Sequence, residues 1–360
     1  MSDITISEKE FWQIVSLLKD HYGINLSQKK NLIVGRLQKH LRSSNYSSFS
    51  EFYDYVISDR TGEAATLLIN KLTTNYTFFM REIEHFDFFR GTALPHIART
   101  EKSKDMRIWS AGCASGEEPY SIAMCIADFF AGGGVARANA AARRLGGAAR
   151  ASRLAQNWAP PRAADAQAGM GSAQAGMGQA QAGMGPAQAG MGPAQPIAPP
   201  GSAPASPPID TLLRFESGVD RSGWDSKVLA TDISERVLAM ASDGIYMAES
   251  LDPLPSAWRR AFFKPIDDES EQVVDWLRRE IIFRKFNLME EHFPFRKKFH
   301  IIWCRNVMIY FDAETRKRLI EKFYDFTEPG GYLFIGHSES IARNETRYTY
   351  VMPAIYRRDP

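Results

Sequence analysis

The chain has 360 residues, 44% of them hydrophobic and 12% aromatic, which suits about two domains with real cores. A formal charge of +2 does not point to nucleic acid, no apolar run approaches the ~18 residues of a membrane span, and the N-terminus lacks the basic-then-apolar order of a signal peptide. Cys113, Cys125 and Cys304 lie in apolar runs without metal-ligand spacing, so buried free thiols, no metal and a reducing, cytoplasmic setting are expected.

Residues 1–72 read as helices. Phe11, Ile14, Val15, Leu17 and Leu18 recur at helical spacing, as do Leu32, Ile33, Leu37 and Leu41, and then Phe49, Phe52, Tyr53 and Val56. Between Asp20 and Glu51 there is no acid, yet Lys29, Lys30, Arg36, Lys39 and Arg42 fall there with His40. Such a helix is either a solvated face with snorkelling lysines or a docking face for an acidic protein surface. Residues 73–95 are expected to connect this domain to the next by a helix. Thr73, Thr74, Asn75 and Thr77 lead into a dense aromatic cluster around Tyr76, Phe78, Phe79 and Phe86. On these residues alone, Arg81 reads as a salt-bridging helix residue beside Glu82.

The stretch from Arg107 to Met124, RIWSAGCASGEEPYSIAM, organises the rest. Ile108 and Trp109 suit a buried strand, Gly112 to Gly116 a tight loop of small residues, and Pro119 the first turn of a helix. Strand, loop and helix in this order open a nucleotide-type α/β fold with its ligand at the carboxyl end of the strand. The loop is neither a P-loop nor a GxGxxG. Glu117 and Glu118 would repel phosphate where a dinucleotide enzyme holds pyrophosphate; they suit an ammonium group or ribose hydroxyls, as in S-adenosylmethionine, or simply complement the helix dipole.

From about 131 to 223 the composition shifts to Ala, Gly, Pro, Gln and Met. Units AQAGMGS, AQAGMGQ, AQAGMGP and AQAGMGP run from Ala166 to Pro193; each has two glycines and one large apolar residue, too few for a coiled-coil seam. A low-complexity disordered insertion in a surface connection is expected.

Lys227 to Ser234 then reads as a strand ending in Asp232, where such folds hold a ribose diol, and Ser234 caps a helix from Glu235. Residues 245–288 suggest a small antiparallel excursion with strands Gln272–Trp276 and Glu280–Phe286, ending at Asn287-Leu288. Phe299 to Cys304 is a buried strand followed at once by Arg305 and Asn306, a pattern typical of a ligand crevice. A helix from Glu314 to Phe326, a turn at Pro329-Gly330-Gly331, a strand Tyr332–Ile335 and a last strand Val351–Tyr356 complete the pattern. His337 reads as a structural histidine rather than a general base.

The segments TTNYTFFMRE, GCASGEEPYSIAM, ATDIS and CRNVMIYF, in this order, resemble those of the CheR-type chemoreceptor glutamate methyltransferases, over nearly the whole chain outside the insertion. The resemblance implies an α/β protein: an all-α receptor-docking domain at 1–72, then a Rossmann-like S-adenosylmethionine domain at 96–360 with a small antiparallel β-subdomain near 245–288. It implies that Asn75, Thr77, Arg81, Glu117, Asp232, Asn287, Leu288, Arg305 and Asn306 line the cofactor site. Asp232 would take the ribose hydroxyls, Asn287 would lie near the adenine, and Arg81 and Tyr310 would face the reacting centre. Lys29, Lys30, Arg36, Lys39 and Arg42 would meet the receptor's cytoplasmic domain, and in some relatives the β-subdomain docks a receptor tail peptide. The long insertion departs from the family pattern. The implied activity is SAM-dependent methylation of receptor glutamates by a monomer that neither binds nucleic acid nor enters the membrane. The alternatives are a non-catalytic SAM-binding sensor or scaffold, and a methyltransferase for another protein acceptor.

Overall fold

The computed structural model describes residues 4–132 and 223–360, so the expected disordered insertion lies almost wholly outside the described residues. The N-terminal helices are α1 (Glu8–Tyr22), α2 (Lys30–Ser43), α3 (Phe49–Ser58) and α4 (Glu63–Leu72). Their starts and stops are local chemistry. Ser7 and Glu10 form a reciprocal capping box at the start of α1, and Gly23, at φ +71°, ends it. Ser48 caps α3 by accepting from the Glu51 N–H. The apolar stripes meet in one core that includes Phe11, Leu18, Ile33, Leu37, Leu41, Phe52 and Leu68. Leu37 is fully buried, and truncating such a leucine to alanine costs about 2–5 kcal/mol.

Residues 73–82 are not helical, against the expected connecting helix. The helix begins only at α5 (Ile83–Phe88) and continues through a π-turn (Phe89–Ala93) into α6 (Leu94–Thr100). The segment carrying Asn75, Thr77 and Arg81 is therefore irregular backbone, with Met80 and Glu82 in the left-handed region at φ 57° each.

The α/β part is built from β1 (Ile108–Ala111), α7 (Glu117–Ala131), β2 (Val228–Asp232), α8 (Glu235–Asp243), β3 (Ile245–Met247), α9 (Ser256–Phe262), β4 (Phe263–Pro265), β5 (Ser270–Val273), α10 (Asp275–Arg278), β6 (Ile281–Lys285), β7 (Phe299–Cys304), α11 (Ala313–Phe326), β8 (Thr327–Ile335), β9 (Thr349–Met352) and β10 (Ile355–Arg357). The main sheet runs β6-β2-β1-β7-β8-β10-β9. Its first five strands are parallel, and β10 pairs antiparallel with β8 on one side and β9 on the other. From β1 the chain steps outward to β2 and β6, then returns to the other side of β1 as β7. That reversal opens a crevice at the carboxyl ends of β1 and β7. The strands beside it are mostly apolar, as sheets covered on both faces require, and every residue of β1 and of β7 is buried, Ser110 and His300 included. Trp303 stacks on Phe334 with centroids 4.2 Å apart and planes 8° off parallel, and Trp109 anchors a cluster with Phe293, Phe295 and Phe323.

Several strand expectations need correction. The small antiparallel sheet is β3-β5-β4 and ends at Val273. Trp276 lies in α10, and the predicted Glu280–Phe286 strand is the edge of the main sheet, with Val228 opposite Ile281. Both segments alternate like strands; the tertiary partner decides which sheet each joins. The predicted turn at Pro329–Gly331 lies inside β8, absorbed by a register shift opposite His300. The last predicted strand is a hairpin, β9 and β10, turning at Pro353 and Ala354.

The helical domain closes over the crevice. Asn25 N–H donates to the Tyr310 carbonyl at 2.8 Å, Ile24 bridges Phe311, and Asn287 Nδ2 donates to the carbonyl of His21 at 2.8 Å. Ile233, Tyr310 and Phe311 pack against the helical core.

Candidate active site

A cavity of about 310 Å³ occupies this crevice. Of the residues singled out from sequence, Asn75, Thr77, Arg81, Asp232, Asn287, Leu288, Arg305, Asn306 and Tyr310 line it. Glu117 does not; its neighbour Glu118 does.

The loop after β1 forms one wall. Gly112 N–H and Cys113 N–H both donate to the Thr231 carbonyl, at 2.8 and 2.9 Å, folding the loop back onto the end of β2. Gly112 sits at φ +93°, and a Cβ there would run into the Val307 side chain, so both conformation and space require glycine. Ala114, at φ 46°, donates its N–H to Asp232 Oδ2 at 3.0 Å, and Ser234 N–H donates to Oδ1 at 2.9 Å. Burial pushes the Asp232 carboxyl up from its ordinary value, partly offset by these backbone donors. Its carboxylate keeps lone pairs free to accept from a diol. Ile233, Phe286 and Leu288 supply apolar surface nearby.

Glu117 and Glu118 stand at the start of α7 and separate in role. Glu117 accepts from Ser115 Oγ at 2.8 Å beside the loop. Glu118 points into the crevice, accepting from Ser110 Oγ at 2.8 Å and pairing with Arg305 Nη1 at 3.2 Å. Arg305 is 6% exposed and also pairs with Glu82, Nη2 to Oε2, at 3.1 Å. Its guanidinium lies over the rings of Phe86 and Trp303, 5.7 and 5.5 Å from their centroids. Arg305 is thus bound on two sides by carboxylates and braces Glu82 against Glu118. Burial raises both acids; Arg305, with further donors, brings Glu82 below its ordinary value but leaves Glu118 above it.

Asn306 adopts φ 59° and packs so closely on Gly336 that a side chain there would strike its amide. A buried carboxylate holds this turn: Glu339 accepts from the N–H groups of Gly336, Asn306 and Ile309 at 2.6, 3.0 and 3.1 Å. Sequence reading gave Glu339 no role and read Glu82 only as a neighbour of a salt-bridging Arg81, whereas Glu82 pairs with Arg305. The nearest signal was an acid four residues beyond the end of β8, in GHSE. Left-handed, non-glycine backbone at Met80, Glu82, Ala114 and Asn306 gathers around this one crevice. Strain of about 1–3 kcal/mol per such residue persists only where the surroundings over-determine it.

Tyr310 reaches the cavity with its hydroxyl tied to Thr74, accepting from the N–H at 3.0 Å and lying 3.3 Å from the carbonyl. Arg81 is half-buried and donates to the Tyr76 carbonyl at 2.7 Å. No carboxylate lies within ion-pair reach of it among the described residues. The residues named for docking also divide. Lys29, Lys39 and Arg42 are exposed, and Lys30 pairs with Glu8. Arg36 turns inward to the carbonyls of Leu72 and Thr73 at 2.8 and 3.0 Å and to Thr74 Oγ1 at 2.9 Å, fixing the end of α4 and the segment that follows. His337 is exposed and outside the cavity lining; its ring meets that of fully buried His85 at 4.7 Å, and burial lowers His85 to about 3, leaving it neutral. Burial likewise raises the Cys113 thiol, which stays protonated.

The donor set suits a ligand with ribose hydroxyls for Asp232, a flat apolar base beside Phe286 and Leu288, and charged ends near Glu118 and Arg81. Two carboxylates at a helix start disfavour phosphate there.

Two family models cover the chain: "CheR methyltransferase, all-alpha domain" matches residues 9–73, and "CheR methyltransferase, SAM binding domain" matches 75–142 and 212–356. A chemotaxis protein methyltransferase of Borreliella burgdorferi is 31% identical over 99% of this chain and 96% of its own length. The Escherichia coli chemotaxis protein methyltransferase is 27% identical over 98% of this chain and 92% of its own. A SAM-complexed glycopeptide N-methyltransferase overlaps only 32% of this chain and 35% of its own, at 19% identity and a TM-score of 0.19, and the fold assignment does not depend on it. The seven-stranded sheet, the helical cap and the crevice between them are those of a SAM-dependent methyltransferase, and the chain belongs to the CheR methyltransferase family.

Proposed function

We propose that this protein transfers the methyl group of S-adenosylmethionine to glutamate side chains on the cytoplasmic helices of chemoreceptors, forming glutamate methyl esters. At family level it is a SAM-dependent methyltransferase of chemotaxis. Asp232, Asn287 and Leu288 would hold the nucleoside end of the cofactor. Glu118, braced by Arg305, faces the other end, and Glu117 shapes the loop. Bound there, S-adenosylmethionine supplies a methyl group on a sulfonium, ready for direct displacement.

The observation that carries the acceptor assignment is Arg81. It is a half-buried cation in the cavity wall whose only described hydrogen bond goes to a backbone carbonyl, so an incoming carboxylate is its natural partner. A glutamate with its ordinary pKa near ~4.3 is ionised at neutral pH and needs no base to become a nucleophile. The neutral thiol of Cys113 and the neutral imidazole of His85 agree with that. The protein's work is to orient the carboxylate in line and strip its water. Tyr310 can turn its hydroxyl proton toward that carboxylate at the expense of the long contact to the Thr74 carbonyl. Exposed Lys29 and Lys39 on and beside α2 offer positive charge to an acidic receptor helix. No described helix is long and apolar enough to cross a membrane, and the reading has a monomer acting on the receptor's cytoplasmic part.

The test is transfer of labelled methyl from S-adenosylmethionine to a purified receptor cytoplasmic fragment. Label released by base as methanol, and lost with Asp232→Ala, supports the ester. Label that resists base rules it out, and no label despite cofactor binding would favour a sensor or a different acceptor.

A further inference from the structure

Around Arg81 the mouth of the cavity is apolar and open. Tyr76, Phe78 and Ile309 all line the cavity, yet they are 68%, 36% and 48% exposed. The rings of Tyr76 and Phe78 lie 5.7 Å apart, and the Arg81 guanidinium sits 6.0 and 5.9 Å from their centroids. Large exposed side chains that also line a cavity must stand at its entrance. Two of them flank a cation without a carboxylate partner, and with Ile309 at the same cavity they leave apolar area in water that folding did not cover.

We propose that Tyr76, Phe78 and Ile309 form an acceptor-docking collar that selects which glutamates are methylated. This rests on the acceptor assigned above. The occupant is an amphipathic helix whose target glutamate is followed or preceded, three or four positions away, by an apolar side chain on the same face. Side chains at that spacing lie side by side on a helix, so one reaches Arg81 while its neighbour settles on the collar. Charge and apolarity are both matched: the carboxylate meets the guanidinium, and the aliphatic neighbour covers Tyr76 and Phe78. A glutamate flanked by charged residues on that face would leave the rings wet and its neighbours partly desolvated, and would be methylated poorly. Aromatic residues are favoured for such contacts because they bury much surface at little rotamer cost.

The experiment measures methyl transfer to the receptor fragment and, separately, binding of S-adenosylhomocysteine, for the unaltered chain, for Tyr76→Ser/Phe78→Ser and for Tyr76→Leu/Phe78→Leu. The serine pair should raise the acceptor KM by about tenfold or more, the size of effect expected from truncating buried aromatic anchors. Its S-adenosylhomocysteine affinity should move by less than about threefold, which also shows that the variant is folded. The leucine pair, which keeps apolar area but not the rings' hold on Arg81, should restore most of the acceptor KM. An unchanged KM in the serine pair overturns the collar. So does a leucine pair as weak as the serine pair, because the rings would then act only by positioning Arg81. Loss of S-adenosylhomocysteine binding in the serine pair also overturns it, since the rings would belong to the cofactor site. No transfer by the unaltered chain overturns the acceptor assignment itself, whereas transfer that ignores the substitutions overturns the collar alone.

Discussion

The two sides of the crevice are built differently. On the strand-end side, Arg305 is locked between Glu82 and Glu118, Glu339 gathers three backbone N–H groups, and Asp232 holds the Gly112 loop from two directions. Nearly every polar atom there has an internal partner, and the side chains are buried or half-buried. On the opposite side, residues 74–78 are exposed apart from half-buried Thr77, and Arg81 has no ion pair among the described residues. The methyl transfer proposed above, from a small cofactor to a protein glutamate, would use this asymmetry. The cofactor side is preorganised and costs little reorganisation, while the acceptor side leaves its charge and apolar area to be satisfied by whatever docks.

Removing the central brace should do the most damage. Arg305→Ala takes the buried shared cation away from two half-buried carboxylates, and breaking a buried charge pair typically destabilises by about 3–5 kcal/mol. Chemical denaturation should show that loss together with lost cofactor binding. A variant of full stability would mean the network is solvated.

Arg81→Ala should separate the two sides. With no ion pair to lose, its stability should change by less than about 0.5 kcal/mol, while methyl transfer falls by about a hundredfold, as when one charge-stabilising donor is removed. Equal loss of stability and activity would merge the two sides and refute the division.

Asp232→Asn should weaken S-adenosylhomocysteine binding about tenfold or more, since hydrogen bonds to charged acceptors are worth about 1.5–3 kcal/mol. The pH dependence carries a sign. Burial raises Asp232, so its ionised, diol-accepting form is lost as pH falls through that raised value, starting at a higher pH than for an exposed aspartate. Stability moves the other way, because the native state holds this proton more tightly than the unfolded chain and gains from acidification at this group. Calorimetry across the acid range should find affinity dropping in the unaltered chain and a flatter profile in Asp232→Asn.

The smallest effect belongs to the outer surface. Exposed Lys29 and Lys39 act over distances that salt screens, with a Debye length of ~10 Å at 0.1 M. Added salt should therefore lower kcat/KM for the receptor fragment and leave S-adenosylhomocysteine binding nearly unchanged. Salt-independent transfer would remove α2 from the docking surface.

The same asymmetry explains what could be read in advance. That Asp232, Arg305 and Asn306 line the crevice was legible because polar residues at the carboxyl end of a largely apolar strand have few other reasons to be there. The Gly112 loop was legible because it needs small residues. The choice between Glu117 and Glu118 was not. Both fit the first turn of α7, and only Ser110 and Arg305, distant in sequence, fix Glu118 inward. The roles of Glu339 and Glu82 escaped notice because they act on backbone N–H groups and on a side chain distant in sequence, which leaves no spacing pattern. Arg36 read as part of a basic face because charge runs do not reveal a contact with carbonyls beyond residue 71. Strand partners failed for a related reason: β6 and β5 have similar short patterns, and the crossover through α10 decides which sheet each joins. Pro353, inside the supposed last strand, was the available sign that the segment turns there.

The most direct test of the central claim uses a receptor fragment with its candidate glutamates replaced by glutamine. With labelled S-adenosylmethionine, the account predicts base-labile methyl on the unaltered fragment and none on the glutamine version. Equal labelling of both would contradict it, because the acceptor would then not be a glutamate carboxylate.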